Sequence, residues 1–270
     1  MKTNGFTHAH LGLSGGIDSA LVAYLAVHAA GAENITGISM PSRFSSQGSK
    51  DDASELAANL GCHYEILPIE KCYGAFLSTL EKIFANRPFD LAEENLQARI
   101  RGTLLMAFSN KFNSMLFNTG NKSEISMGYC TLYGDTNGAL GPLGDLYKTE
   151  IFAFCRRINE RSLESAGKAV IPQSIIDKAP SAELRPNQKD EDSLPPYNTL
   201  DAILRLYIDE GSSNDAIVKK GWDRELVDRI TKTVIRTEFK RHQLPPVLKI
   251  QSRSNDTKQK VSAAQPVYQV

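Results

Sequence analysis

The chain lacks most of the features that narrow a function quickly. Its 270 residues hold 31 basic and 31 acidic side chains, so the formal charge is zero. That balance gives no general support for a nucleic-acid or membrane-surface role, which would draw on a basic excess. Cysteine is scarce: Cys62, Cys72, Cys130 and Cys155 are all there is. None forms a CxxC pair and no Cys/His cluster has zinc spacing, so reduced thiols in a cytoplasmic protein are the reading. The five histidines (His8, His10, His28, His63 and His242) show neither metal nor triad spacing and read as structural. No apolar run is long enough to span a bilayer, and the opening "MKTNGFTHAH" has no apolar signal core.

A further absence is more pointed. The stretch "LGLSGGIDSALVAYLAV" has a Gly-rich turn between an apolar run and a helical pattern, yet no lysine. Gly15 and Gly16 let the backbone curl so that successive N–H groups point inward. The helix that follows adds its positive end, and Ser14 and Ser19 can add hydroxyl donors. This is a phosphate cradle without the Walker G-x-x-x-x-G-K-[ST] lysine that serves the β/γ-phosphates, and without the G-x-G-x-x-G dinucleotide fingerprint. An aspartate, Asp18, stands where it could hold the Mg²⁺ that neutralises a polyphosphate. Such a loop suits cleavage between the α- and β-phosphorus atoms, where it need only stabilise a departing pyrophosphate.

The rest of the pattern alternates. "HAHLGLS", "NITGISMP", "CHYEILPI" and "SMLFNTG" read as strands. Ile17–Ala30, Ser49–Leu60, about Lys71–Ala85 and the long stretch "DLAEENLQARIRGTLLMAFSNKF" read as helices, the last with a core stripe of Leu96, Ile100, Leu104 and Phe108. "GDLYKTEIFAFCRRI" begins another helix. The fold expected is α/β, a doubly wound parallel sheet. A small helical region is expected at about 198–245, closing a domain of residues 1–250, with a disordered polar tail at 251–270. The charged, Pro-rich, aperiodic segment between Pro180 and Pro196 reads as a mobile lid, since a loop of that length is usually functional. Asp51 and Asp52 read as a helix-start charge pair.

"SGGIDS" resembles the signature of the N-type ATP pyrophosphatases, whose fold is adenine nucleotide alpha hydrolase-like and Rossmann-like. Four later stretches, "ENLQARIRGTLLM", "NTGNKSEISMGYCTLYGD", "GPLGDLYKTEIF" and "KAPSAELRPNQKDEDSLPPY", resemble NAD synthetase, most of all the C-terminal synthetase domain of the glutamine-dependent form. The resemblance covers about Leu11 to Pro245. It implies a ligase that converts deamido-NAD, ATP and ammonia to NAD, AMP and pyrophosphate through an acyl-adenylate, with Mg²⁺. It implies that Gly12, Leu13, Ser14, Gly15, Gly16, Ile17, Asp18 and Ser19 form the ATP loop, with Thr119, Lys148 and Ser181 as further ATP contacts. Asp18 and Glu124 would be metal ligands, Asp18 and Lys148 the catalytic pair, and Asn95, Arg99, Glu124 and Lys240 deamido-NAD contacts. Ammonia-only members have a lysine where Leu132 stands and an aspartate near Ala139, so both departures point to the glutamine-dependent branch. The resemblance further implies a homodimer and a separate N-terminal amidase domain, to which nothing in this chain is similar. Two other readings stay open: an ATP pyrophosphatase for nucleobase amination or thiolation, and a nucleotide-binding fragment without turnover.

Overall fold

The computed structural model describes residues 4–85 and 87–250. Four parallel strands lie in the order β3-β2-β1-β4: β1 (His8–Gly12), β2 (Ile35–Ser39), β3 (His63–Ile66) and β4 (Ser114–Leu116). Ala9 pairs with Ile35 on one side of β1 and with Met115 on the other. The chain starts in the centre and winds outward both ways, so the crevice beyond the carboxyl ends of β1 and β4 is the topological switch point. The expected tail at 251–270 lies outside the described residues.

Helices cover both faces. On one face, α1 (Ile17–Ala30), α2 (Gln47–Leu60), α6 (Lys148–Ala166) and α7 (Gln173–Asp177) bury Leu21, Leu56, Ile151 and Ile175 against Leu11 and Ile35. On the other, α3 (Glu70–Phe84) and α4 (Leu91–Phe112) enclose Ile38, Tyr73, Ile100 and Leu116, with Leu96, Leu104 and Phe108 half-buried beside them as the stripe in α4 requires. Strand alternation explains His10, which points away from Leu11's side and into α4. Its Nε2 donates to the Leu105 carbonyl at 2.9 Å, and its Nδ1 pairs with Ser114 Oγ at 2.9 Å. Burial pulls its pKa below the usual value, against the pull of that carbonyl.

Capping sets several helix starts. The Ser46 hydroxyl accepts from Ser49 N, so α2 begins two residues before the sequence pattern suggests. The Asp90 carboxylate accepts from Ala92 N at 2.7 Å while Glu93 reaches back to Asp90 N, closing the start of α4. A third core joins the short α5 (Lys122–Met127) to the C-terminal helices α8 (Tyr197–Leu204), α9 (Asn214–Lys219) and α10 (Arg224–Arg236), and α11 (Glu238–Arg241) follows. Between α8 and α9 lies a five-residue π-helical turn, Arg205–Asp209.

Candidate active site

A cavity of about 330 Å³ opens at the switch point, in the range usual for small-molecule sites. Its floor is the Gly-rich turn. Gly15 has φ +76, and a Cβ there would strike the Ser49 carbonyl, so only glycine lets the loop pass α2. Gly16 caps α1 without a side-chain acceptor. Ser14 N donates to Ser19 Oγ at 3.3 Å and Gly16 N to Ser14 Oγ at 3.2 Å. Two serine hydroxyls thus occupy loop amides that an incoming oxyanion could take over.

Above the loop sits a buried cation. Lys148, the first residue of α6, is 2 % exposed. Its Nζ donates to Asp18 Oδ2 at 2.6 Å and to Glu124 Oε1 at 2.9 Å. Burial opposes its charge, but Asp18 and Glu124 outweigh burial and hold it protonated well above the usual lysine range. Burial pushes the Glu124 carboxyl up to about 7 against the pull of Lys148, with Asp18 and Asp190 adding to the rise. Asn121 ties this group together: its Nδ2 donates to Asp18 Oδ1 at 2.9 Å, while its Oδ1 accepts Glu124 N and caps α5. Tyr197 stands behind, its hydroxyl donating to Asp190 Oδ2 at 2.7 Å and reaching Glu124 Oε1 at 3.3 Å, its ring centre 5.2 Å from Lys148 Nζ.

Of the expected loop residues, Gly12, Leu13, Ser14, Gly16, Ile17 and Asp18 line this one cavity, with Thr119, Glu124, Lys148 and Ser181, while Gly15 and Ser19 do not. Ser181 Oγ donates to the Gln188 carbonyl at 2.5 Å within the segment expected as a lid. That segment is tied down by Glu183, whose Oε1 accepts from Ser46 Oγ and Ser49 Oγ, both at 2.8 Å. Asn95, Arg99 and Lys240 share a different place: none is part of the cavity wall. Thr131 Oγ1 donates to Asn95 Oδ1 at 2.7 Å, Arg99 Nε donates to the Leu132 carbonyl at 3.2 Å, and Lys240 Nζ donates to the carbonyls of Gly128 and Cys130 at 2.7 Å. All three therefore hold the 128–132 stretch, whose Tyr129 lines the cavity together with Gly134 and Asp135 just beyond it.

Sequence reasoning missed several wall residues. Arg101, not among the expected site residues, lies two positions beyond Arg99 and about 200° round the helix; it lines the cavity, and burial brings its pKa down to about 10. Lys178 lines the cavity with its Nζ on Ser49 Oγ and Asp52 Oδ2, at 3.0 and 2.8 Å. Asp52 thus turns inward rather than serving as a helix-start charge. Lys178 and Asp190 lie in aperiodic sequence and leave no local signal. Asn121 did leave one, an Asn three residues before a Glu, which is a capping pattern.

The comparisons agree with this geometry. Residues 1–244 match the NAD synthase family. A glutamine-dependent NAD(+) synthetase of Synechocystis is 50% identical over 250 residues, 93% of this chain and 44% of that protein. The chain thus spans less than half the length of that relative. Among solved structures, the glutamine-dependent NAD+ synthetase of Acinetobacter baumannii in complex with adenosine diphosphate shares 42% identity at a TM-score of 0.64, over 96% of this chain and 46% of that one. The NH3-dependent NAD synthetase of Campylobacter jejuni shares 31% at a TM-score of 0.71, over 92% of both chains. A lysine-free phosphate loop, a parallel sheet of this order and a match over nearly the whole folded length all point one way, and the chain belongs to the NAD synthase family.

Proposed function

We propose that this chain is a C–N bond-forming ligase that amidates deamido-NAD to NAD, consuming ATP and releasing AMP and pyrophosphate. The observation that carries the reading is the division of labour in the cavity. The glycine loop offers amides and hydroxyls but no cation, and the cation, Lys148, comes from a different helix, α6, and lies over Asp18 and Glu124. The nicotinate carboxylate would attack the α-phosphorus of ATP, forming an acyl-adenylate as pyrophosphate leaves into the loop. Ammonia would then attack the acyl carbon and AMP would leave. Positioning and charge stabilisation supply the rate, and no side chain acts as a nucleophile.

The wall's charges bear on the metal. Five carboxylates (Asp18, Glu124, Asp135, Glu183 and Asp190) face four basic groups (Lys50, Arg101, Lys148 and Lys178). A pocket for polyphosphate with an acidic excess calls for a further cation. Asp18 and Glu124, two oxygen donors close enough to share one ammonium, fit Mg²⁺. Bound there, Mg²⁺ would neutralise the polyphosphate. Deamido-NAD would enter beside the 128–135 stretch held by Asn95, Arg99 and Lys240, and Ser181 and Thr119 would meet ATP. The reading includes a homodimer, a glutaminase domain on the longer polypeptide and a cytoplasmic setting. No helix among the described residues is long and apolar enough to cross a membrane, and Cys62, Cys72, Cys130 and Cys155 are free thiols.

The test is incubation with ATP, Mg²⁺, ammonium and deamido-NAD, with nicotinate mononucleotide as a truncated alternative, followed by product chromatography. AMP, pyrophosphate and NAD in equal amounts are expected. ADP and phosphate as main products, or AMP formed without deamido-NAD, would overturn the reading.

A further inference from the structure

The helix that bears Lys148 caps itself only backward: Glu150 accepts from Tyr147 N at 2.8 Å. Tyr147, the residue before it, gives α6 no side-chain hydrogen bond, and the first amides of any helix lack intrahelical partners. Two are met from other elements. Lys148 N donates to Ser123 Oγ at 2.9 Å, and Thr149 N donates to Asp201 Oδ2 at 2.9 Å. The Ser123 hydroxyl in turn donates to Asp201 Oδ1 at 2.5 Å. Ser123 is wholly buried and Asp201 is 2 % exposed. One carboxylate on α8 thus closes the start of α6 directly and, through α5, a second time.

We infer that Asp201 is a positioning residue for Lys148: through the Ser123 hydroxyl and the first amides of α6 it fixes the root of that side chain, so that the ammonium lands between Asp18 and Glu124. Two features make the arrangement specific. Tyr197 and Asp201 are four residues apart on α8 and share a face; Tyr197 supports the ammonium while Asp201 supports the backbone. Ser123 and Glu124 are consecutive on α5, so the residue that anchors the Lys148 backbone adjoins the carboxylate that receives its ammonium. A negative carboxylate at a helix start is also favoured by the helix dipole. An amide replaces it only in part. In an Asp201→Asn variant with the amide oxygen on the Thr149 N–H, the NH₂ faces the Ser123 hydroxyl, which must turn its proton elsewhere to accept, so the donation from Ser123 and the negative charge at the helix start are both lost.

Asp201→Asn and Ser123→Ala test this with two readouts. The first needs no turnover: acetylation of lysines by an N-hydroxysuccinimide ester, followed peptide by peptide in a mass spectrometer. Lys148 should be among the slowest lysines in the wild type, and should speed up on the order of tenfold in each variant as its hold loosens. Lys122, also buried on α5, should keep its rate. No change at Lys148, or an equal rise at Lys122, would overturn the inference, the second by showing general loosening. The other readout rests on the functional reading above. AMP formation should lose about 10- to 100-fold in kcat, the scale of a small misplacement of a reacting group, with KM for ATP within about threefold. The double variant should be no worse than the poorer single one, because both act on one relay; additive losses would count against the relay. If wild-type chain forms no AMP, the functional reading fails while the acetylation rates still decide the role of Asp201. Ser123→Ala removes one oxygen, so it supplies both readouts even if Asp201→Asn does not fold.

Discussion

Replacing Lys148 with methionine isolates what the buried cation does for the fold. Methionine keeps most of the stem against Tyr197 and removes the charge. Two carboxylates, each about four-fifths buried and each hydrogen-bonded to the lost ammonium, then face one another. Removing one partner of a buried ion pair destabilises by about 3–5 kcal/mol, because the remaining charge is left uncompensated. Against a total stability of about 5–15 kcal/mol this is a large share. For a domain of this size it lowers Tm by about 10 °C. The size of a second change carries the test. In the wild type, Glu124→Gln weakens a charge-assisted hydrogen bond and should cost about 1–3 kcal/mol, lowering Tm. In the Lys148→Met background Glu124, already drawn up to about 7 with Lys148 beside it, loses that pull and takes up a proton, so the same change exchanges one neutral group for another and should leave Tm nearly unmoved. Calorimetry of the four proteins, with near-ultraviolet dichroism to confirm native packing, reads both effects. A Tm loss under about 2 °C for Lys148→Met, or Glu124→Gln lowering Tm equally in both backgrounds, would refute the argument.

Three further outcomes are expected. Asp18→Asn should fold normally but lose about 100-fold or more in AMP formation, equivalent to ~3 kcal/mol of transition-state contact; unchanged turnover would reduce Asp18 to a helix-start residue. The buried His10 has a depressed pKa, so below about pH 6.5 the unfolded chain binds the extra proton. Stability is then fully present above that pH and lost as pH falls, and His10→Gln should flatten the decline by up to about 1.4 kcal/mol per pH unit, as denaturant midpoints at pH 5 to 8 would show. Ammonium should support NAD formation with a rate that rises with pH, because only neutral ammonia attacks, and glutamine should give background alone; saturable turnover with glutamine would reveal an amidase site in this chain.

The sheet and its flanking helices were legible because each strand is an apolar run with a clear stop and each long helix keeps its period. The six-residue α5 was not, since fewer than two turns establish no period. The site divides in the same way. Ser14, Gly15, Gly16 and Asp18 are local and announce themselves. The meeting of Asp18 with Lys148 joins positions 130 apart in sequence, and only the packing of α6 beside α1 creates it. Family resemblance named Lys148 and Glu124 without indicating that one lies on the other. It also placed Asn95, Arg99 and Lys240 near a substrate without indicating that each grips one short stretch of chain. Arg101 shows the limit from the other side. Periodicity alone gives its direction relative to Arg99, but which face of α4 meets the cavity depends on how the 131–137 turn lies against it, where Asn137 Nδ2 donates to the Gly102 carbonyl at 2.9 Å.

The resting charges point to how the site must change when it is filled. Lys148 is satisfied by two carboxylates, Lys178 by Asp52, and Glu183 by the Ser46 and Ser49 hydroxyls. Each of these charges is already engaged within the protein. Internal pairing keeps an acidic cavity from destabilising the fold, but a ligand must then exchange partners rather than add them. A cation taken up by Asp18 and Glu124 would release the Lys148 ammonium toward phosphate oxygens, and that exchange keeps every group paired only if metal and nucleotide arrive together. Nucleotide alone leaves the acidic excess unmet, and metal alone leaves Lys148 without an anion. On this argument Mg²⁺ and ATP should bind with positive coupling, each tightening the other by the same factor. Titrations of ATP at several Mg²⁺ concentrations, analysed for the metal–nucleotide complex formed in solution, measure that factor, and a value of one would show that the internal pairs do not need to exchange.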